Sequence, residues 1–223
     1  MPATMKTNRL EAFSDGVMAI IITIMVLELK APHDPTPTSL VRMWPVLFAY
    51  VLSFLIIAIY WVNHHHLLHM ARGVDAVILW ANINFLFWTS LMPWVTIYLG
   101  DNHALPFPVA LYGAVSLAGA ISFFLLRAAI ARQHHGPDFE QVNKRMARKN
   151  LVAILIYIAA ILAAFIYTPL ALILIATPAI MYFLPERGLE DSSGETSSSM
   201  PPDTQETEFI RVTRKEGAKE TDL

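Results

Sequence analysis

The chain has no cysteine in its 223 residues, which excludes disulfides, thiolate metal sites and cysteine nucleophiles. Charge is also scarce: 15% of residues are Asp, Glu, Lys or Arg, against 55% hydrophobic. A soluble domain of this length needs more charge on its surface. The formal net charge is −2, so no strongly basic face points to nucleic acid as a partner. No small-residue cleavage pattern follows the first apolar stretch, so a cleaved signal peptide is not expected. No T-V-G-Y-G sequence occurs, which excludes a potassium filter of that carbonyl-lined kind. No span carries the repeated arginines of a voltage sensor, so weak voltage dependence is expected.

What the sequence does contain is long apolar runs, the pattern of an all-α integral membrane protein in a lipid bilayer. A bilayer core of about 30 Å takes roughly 20 apolar residues as helix. The first span is expected within 8–29, opened by a capping box in which Asn8 caps and Glu11 reaches back. Pro32, Pro35 and Pro37 follow it. The second is expected at 44–62, the third at 76–99 and the fourth at 107–126, with Arg127 and Arg132 past its end. The run 151–184 would make a single helix about 50 Å long, too long for one crossing without severe tilt. Thr168-Pro169 near its middle predicts a break, giving six transmembrane helices. Six spans put both termini on one side of the membrane. Of the Lys and Arg residues, only Lys30 and Arg42 then fall on the other side, so the positive-inside rule makes the termini cytoplasmic. Residues 1–185 are thus expected to form the membrane domain. Residues 186–223, rich in Ser, Thr and Glu, are expected to be a disordered cytoplasmic tail.

One polar group stands out. Asp15 opens the almost wholly apolar stretch "GVMAIIITIMVL". Its helical neighbour four residues back is Glu11, a like charge, and Arg9 lies off that face. The partner of Asp15 is therefore expected on another helix, unless the carboxylate simply meets water. The second span ends in "YWVNHHHLLHM", at the same membrane level because consecutive spans are antiparallel. His64, His65, His66 and His69 are candidates there. His65 and His69 have the i, i+4 spacing of metal-binding helices. That helix supplies no carboxylate, so hydrogen-bonded histidines are expected and no metal. Asn82 and Asn84 in the third span complete the polar set. The same neighbourhood lacks an evident catalytic carboxylate, so no enzyme activity is expected.

These residues carry a resemblance. "RLEAFSDGVMAI" has Arg9, Phe13, Ser14 and Asp15 in the pattern R-x-x-x-F-S-D. With "WVNHHHLLH", "LWANINFLFWTSLMPW" and the six-span layout, it resembles the transmembrane protein 175 family of potassium channels. The resemblance covers about residues 6–184. It implies a homotetramer of single six-helix units, of the bacterial kind, with the first helix of each unit lining a central pore that passes K+. In that reading Arg9, Phe13, Ser14 and Asp15 tie the pore helix to its neighbours, with Trp61, His65 and Asn82 as partners. Gly16 follows the motif, where it loosens the helix start or lets another backbone approach.

Ile20, Thr23 or Ile24, and Leu27 share a stripe at helical spacing. Periodicity alone is equally met by ordinary helix packing. The resemblance places bulky aliphatic rings at Ile20 and Leu27, with hydroxyls at Thr23 between them. Such rings close a pore by dewetting and act as a hydrophobic gate. Glu28 either rings the outer mouth, concentrating cations, or is an interfacial residue beside Lys30. The expected function is passive potassium conduction across a bacterial plasma membrane, without a cofactor. The alternative is a proton-coupled secondary transporter using the Asp15 and histidine cluster.

Overall fold

A computed structural model describes residues 7–133 and 137–183, all of them helix or short connection apart from one isolated bridge residue at Val74. The expected polar tail, 186–223, lies outside the described residues.

Among the described residues, five apolar helical stretches are long enough to cross a membrane: Thr7–Leu27, Trp44–His69, Ala76–Asp101, Pro106–Ala131 and Asn143–Ala164. A shorter apolar helix follows them. The first, α1 (Thr7–Leu27), ends before the prolines of the next connection. Asn8 lies inside this helix, not at its cap, so the expected capping box does not set its start. A one-turn helix, α2 (Pro37–Arg42), is capped by Thr36, whose Oγ1 accepts from the Ser39 N–H at 3.2 Å. Next, α3 (Trp44–His69) runs two turns beyond the expected end of the second span, so the histidines lie on the helix itself.

The third span is two helices, α4 (Ala76–Ser90) and α5 (Met92–Asp101), broken at Leu91. Pro93 has no N–H to donate and its ring crowds the preceding turn, which interrupts the ladder there. At the other end Asp75 caps α4 by accepting from the Ile78 N–H at 2.8 Å. The fourth span, α6 (Pro106–Ala131), takes Arg127 into the helix, where it is buried. The guanidinium was expected past the helix end. It stays inside because its Nη1 donates to the Asn143 carbonyl at 3.1 Å and its charge lies 5.1 Å from the centre of the Phe124 ring.

The last apolar run is split at Phe165–Tyr167 into α7 (Pro137–Ala164) and α8 (Thr168–Phe183), with Pro169 in the first turn of α8. The Tyr167 N–H closes the turn on the Ala163 carbonyl at 2.7 Å. The break falls where Thr168-Pro169 predicts it. At 16 residues α8 spans about 24 Å, short of the hydrocarbon thickness.

Small residues let these helices approach. A Cβ added at Gly100 on α5 would sit 2.8 Å from the Val46 Cα on α3, and one at Gly119 on α6 would sit 3.3 Å from the Tyr60 hydroxyl. Deeper in the bundle the Ser53, Thr96 and Tyr112 hydroxyls join α3, α5 and α6, at 2.6 Å and 2.8 Å from Ser53. Hydrocarbon offers them no water, so they satisfy one another.

Candidate functional site

The site is the start of α1 where it meets the end of α3 and the start of α4. Leu10, Ser14, Met18, Ile21 and Met25 form the buried face of α1. Within it, one hydrogen-bonded chain crosses three helices. His64 Nε2 lies 2.7 Å from Asn82 Oδ1, Asn82 Nδ2 donates to Ser14 Oγ at 2.9 Å, and Ser14 Oγ donates to the Leu10 carbonyl at 2.8 Å. Ser14, His64 and Asn82 are fully buried. The chain fixes its own polarity. Ser14 has one hydroxyl proton, committed to Leu10, so it must accept from the Asn82 amide N–H, and the Asn82 carbonyl must then accept from His64. His64 Nδ1 has no partner among the described residues, and the ring stacks on Phe85 at 5.6 Å.

Beside this chain runs a second contact between α1 and α3. Glu11 and Asp15 are one turn apart on α1. Trp61, His65 and His69 are successive turns on α3, which runs the other way. Trp61 Nε1 donates to Asp15 Oδ1 at 3.0 Å. Glu11 Oε1 lies 2.8 Å from His65 Nδ1 and 3.4 Å from His69 Nε2. Glu11 therefore does not reach back to Asn8, and His65 holds Glu11, not Asp15. The like charge expected to burden Asp15 has partners of its own. Trp61 stacks on His65 at 6.1 Å, and the His65 and His69 rings meet edge to face at 4.4 Å.

Other expected residues stand apart. Arg9 is exposed and has no hydrogen bond or ion pair among the described residues. Phe13 is exposed. Asn84 leaves the network and donates to Ser122 on α6 at 2.8 Å. Among the described residues nothing approaches Gly16 within 4 Å of where a Cβ would stand, so no described backbone explains the glycine.

Ile20, Thr23, Ile24 and Leu27 are all exposed, Leu27 at 79% and Ile20 at 57%. They share a face of α1 distinct from the buried one. Thr23 donates its hydroxyl proton to the Ile20 carbonyl at 2.9 Å, which leaves the oxygen lone pairs turned away from the backbone. Glu28 follows the last helical residue and is exposed.

The sequence names His64 as one of four candidate histidines without singling it out, and it gives Glu11 no partner on another helix. His64 was readable: Ile57, Tyr60, Leu67 and Leu68 surround it at helical spacings of seven, four, three and four, so it lies on an apolar face. Glu11 had no local signal, because its partners are on another helix.

The described residues thus form an all-α bundle of membrane-length apolar helices whose first helix is hydrogen-bonded to its neighbours on one side and exposed on the other, the class of an integral membrane protein. Comparison with known proteins agrees with that class. A family model described as "Endosomal/lysosomal potassium channel TMEM175" matches residues 9–93. A protein named a potassium channel from Chryseobacterium sp. (strain P1-3) is 40% identical over 193 residues, 86% of this chain and 100% of that one. Another named so, from Streptomyces collinus (strain DSM 40733 / Tue 365), is 34% identical over 75% of this chain and 86% of its own length. The crystal structure of a lysosomal potassium-selective channel TMEM175 homolog from Chamaesiphon minutus superposes with a TM-score of 0.71 at 28% identity. It covers 79% of this chain and 95% of that one. The chain belongs to the TMEM175 family.

Proposed function

We propose that the chain is a potassium-selective cation channel that conducts passively as a homotetramer, with α1 of each subunit lining the pore. The observation that carries this reading is the exposed stripe Ile20, Thr23 and Leu27 on a helix whose other face is fixed by directional hydrogen bonds. A pore wall needs such a helix, since a roll of roughly 50°, half the angle between successive residues, would turn different side chains to the axis.

Four copies of Ile20 and of Leu27 make two apolar constrictions that close by dewetting. Four Thr23 oxygens between them offer lone pairs to a cation that has shed part of its hydration shell. Selection then follows the cost of stripping water, which is lower for K+ than for the smaller Na+. Glu28 at the outer end adds a ring of negative charge that concentrates cations and repels anions. The distribution of Lys and Arg supports cytoplasmic termini, and the bacterial sources of the relatives support a bacterial plasma membrane. The relatives are named for conduction and not for catalysis, so the chain is read as no enzyme.

A proton-coupled transporter is the weaker reading. Asp15 and His65 are engaged in the contact between α1 and α3, whereas transporter sites of this kind lie at paired broken helices near the bilayer centre.

The test is ion flux from liposomes holding the purified protein, with K+, Na+, H+ and Cl− compared. K+ efflux should exceed Na+ efflux severalfold, with no Cl− flux and no requirement for a proton gradient. Leu27→Ala should at least halve the K+/Na+ ratio. A folded protein that moves no K+, or a Leu27→Ala protein with an unchanged ratio, would remove α1 as the filter.

A further inference from the structure

The contact between α1 and α3 contains more than hydrogen bonds. Glu11, His65 and His69 each offer one ligand atom, and these atoms all lie within 4.8 Å of one another. We infer that Glu11 Oε1, His65 Nδ1 and His69 Nε2 form a binding site for a divalent transition-metal ion of the Zn2+ class, which staples the start of α1 to the end of α3.

Five observations support it. The donor set is two imidazoles and one carboxylate, which suits Zn2+, Co2+ or Ni2+ and not Mg2+ or Ca2+, whose sites are built from oxygens. His65 and His69 are four apart on α3, so both imidazoles project from one face of a rigid helix. The carboxylate comes from α1, supplying the ligand that α3 lacks. The spacing is close to what an ion needs: donors bonded tetrahedrally at 2.0–2.1 Å are about 3.3 Å apart. Glu11 is 3.4 Å from His69 Nε2 and 2.8 Å from His65 Nδ1, so small rotations of two partly exposed rings admit the ion. His69 is 61% exposed, which gives the ion an entry path and leaves its remaining positions to water.

The position gives the site a consequence. Asp15 lies one turn further along α1, held by Trp61 one turn back along α3. A bound ion would extend that attachment by a turn and hold α1 more firmly. The binding itself does not depend on the chain being a channel.

The test is isothermal titration of tag-free protein with ZnCl2, using MgCl2 as the control. The expected result is one Zn2+ per chain and no Mg2+ binding. His69→Ala and Glu11→Gln should each weaken Zn2+ binding at least tenfold. His66→Ala, an exposed neighbour outside the donor set, should leave it unchanged. Two readouts report on folded protein: the visible absorption of bound Co2+, and a rise in thermal midpoint with Zn2+ that His69→Ala abolishes. Overturning results are no Zn2+ binding by the wild-type protein, binding undiminished in His69→Ala, or equal loss in His66→Ala.

Discussion

The two faces of α1 follow different rules. Leu10, Ser14, Met18, Ile21 and Met25 are buried against neighbouring helices, and the polar group among them takes part in a directed hydrogen-bonded chain. Phe13, Ile20, Thr23, Ile24 and Leu27 are exposed, and the Thr23 hydroxyl donates to the Ile20 carbonyl of the same helix. Within hydrocarbon, apolar packing alone sets helix azimuth weakly, because lipid tails are as apolar as Leu. Directional bonds from Ser14 and Asp15 set it strongly. The buried face thus serves the exposed one: it decides which side chains the helix presents.

The comparison is broken most severely by removing Asn82. In Asn82→Leu the Ser14 hydroxyl keeps its bond to Leu10, but His64 is left with neither ring nitrogen partnered. A buried polar group left unpaired costs about 1–3 kcal/mol, and the loss here should lie toward the top of that range. Unfolding in detergent, followed by size exclusion against temperature, would measure it. Asn84→Leu sharpens the contrast. It loses one part-buried bond to Ser122 outside the α1 network and should cost clearly less.

A smaller effect is expected one helical turn away. Trp61→Phe keeps an aromatic side chain but takes the Nε1–H donor from Asp15. Hydrogen bonds between membrane helices average about 0.6 kcal/mol by double-mutant cycles and reach about 1.7 kcal/mol. A cycle of Trp61→Phe with Asp15→Ala, each of which removes the bond, should give a coupling within that range. A coupling near zero would show that the Trp61–Asp15 bond adds nothing to the attachment, which then rests on Glu11 with His65 and His69 and on the Ser14–Asn82–His64 chain.

This architecture is legible in the sequence to unequal depths. The spans follow from run length, and the break before α8 follows from Thr168-Pro169, because both signals are local. The break at Leu91 has a local cause in Pro93, but the apolar run continues through it and hydropathy does not register it. Arg127 stays helical because of the Asn143 carbonyl and the Phe124 ring, and the first of these lies on another element. The site shows the same division. A motif identifies Ser14 and Asp15 as constrained, and antiparallel packing brings the end of the second span to their level. That His65 takes Glu11 while Asp15 takes Trp61 depends on the register between α1 and α3, which no single-helix pattern contains.

The smallest structural effect should come from the exposed face, and it sharpens the comparison most. Thr23→Val replaces a hydroxyl by a methyl of nearly the same size at an exposed position. Its one hydrogen bond, to the Ile20 carbonyl, is local and does not hold the helix shut. The change in unfolding stability should stay within about 0.5 kcal/mol, as for other substitutions made away from the core. If Thr23 oxygens coordinate the permeating ion, K+/Na+ discrimination in liposome flux should nevertheless fall, by about two- to fivefold, since four lone-pair donors disappear at once. A variant that unfolds like the wild type yet discriminates less would separate the two faces by function: one holds the helix, the other meets the ion. Unchanged discrimination would assign selection to the apolar rings at Ile20 and Leu27 alone, and leave the hydroxyl with only its local bond to the Ile20 carbonyl.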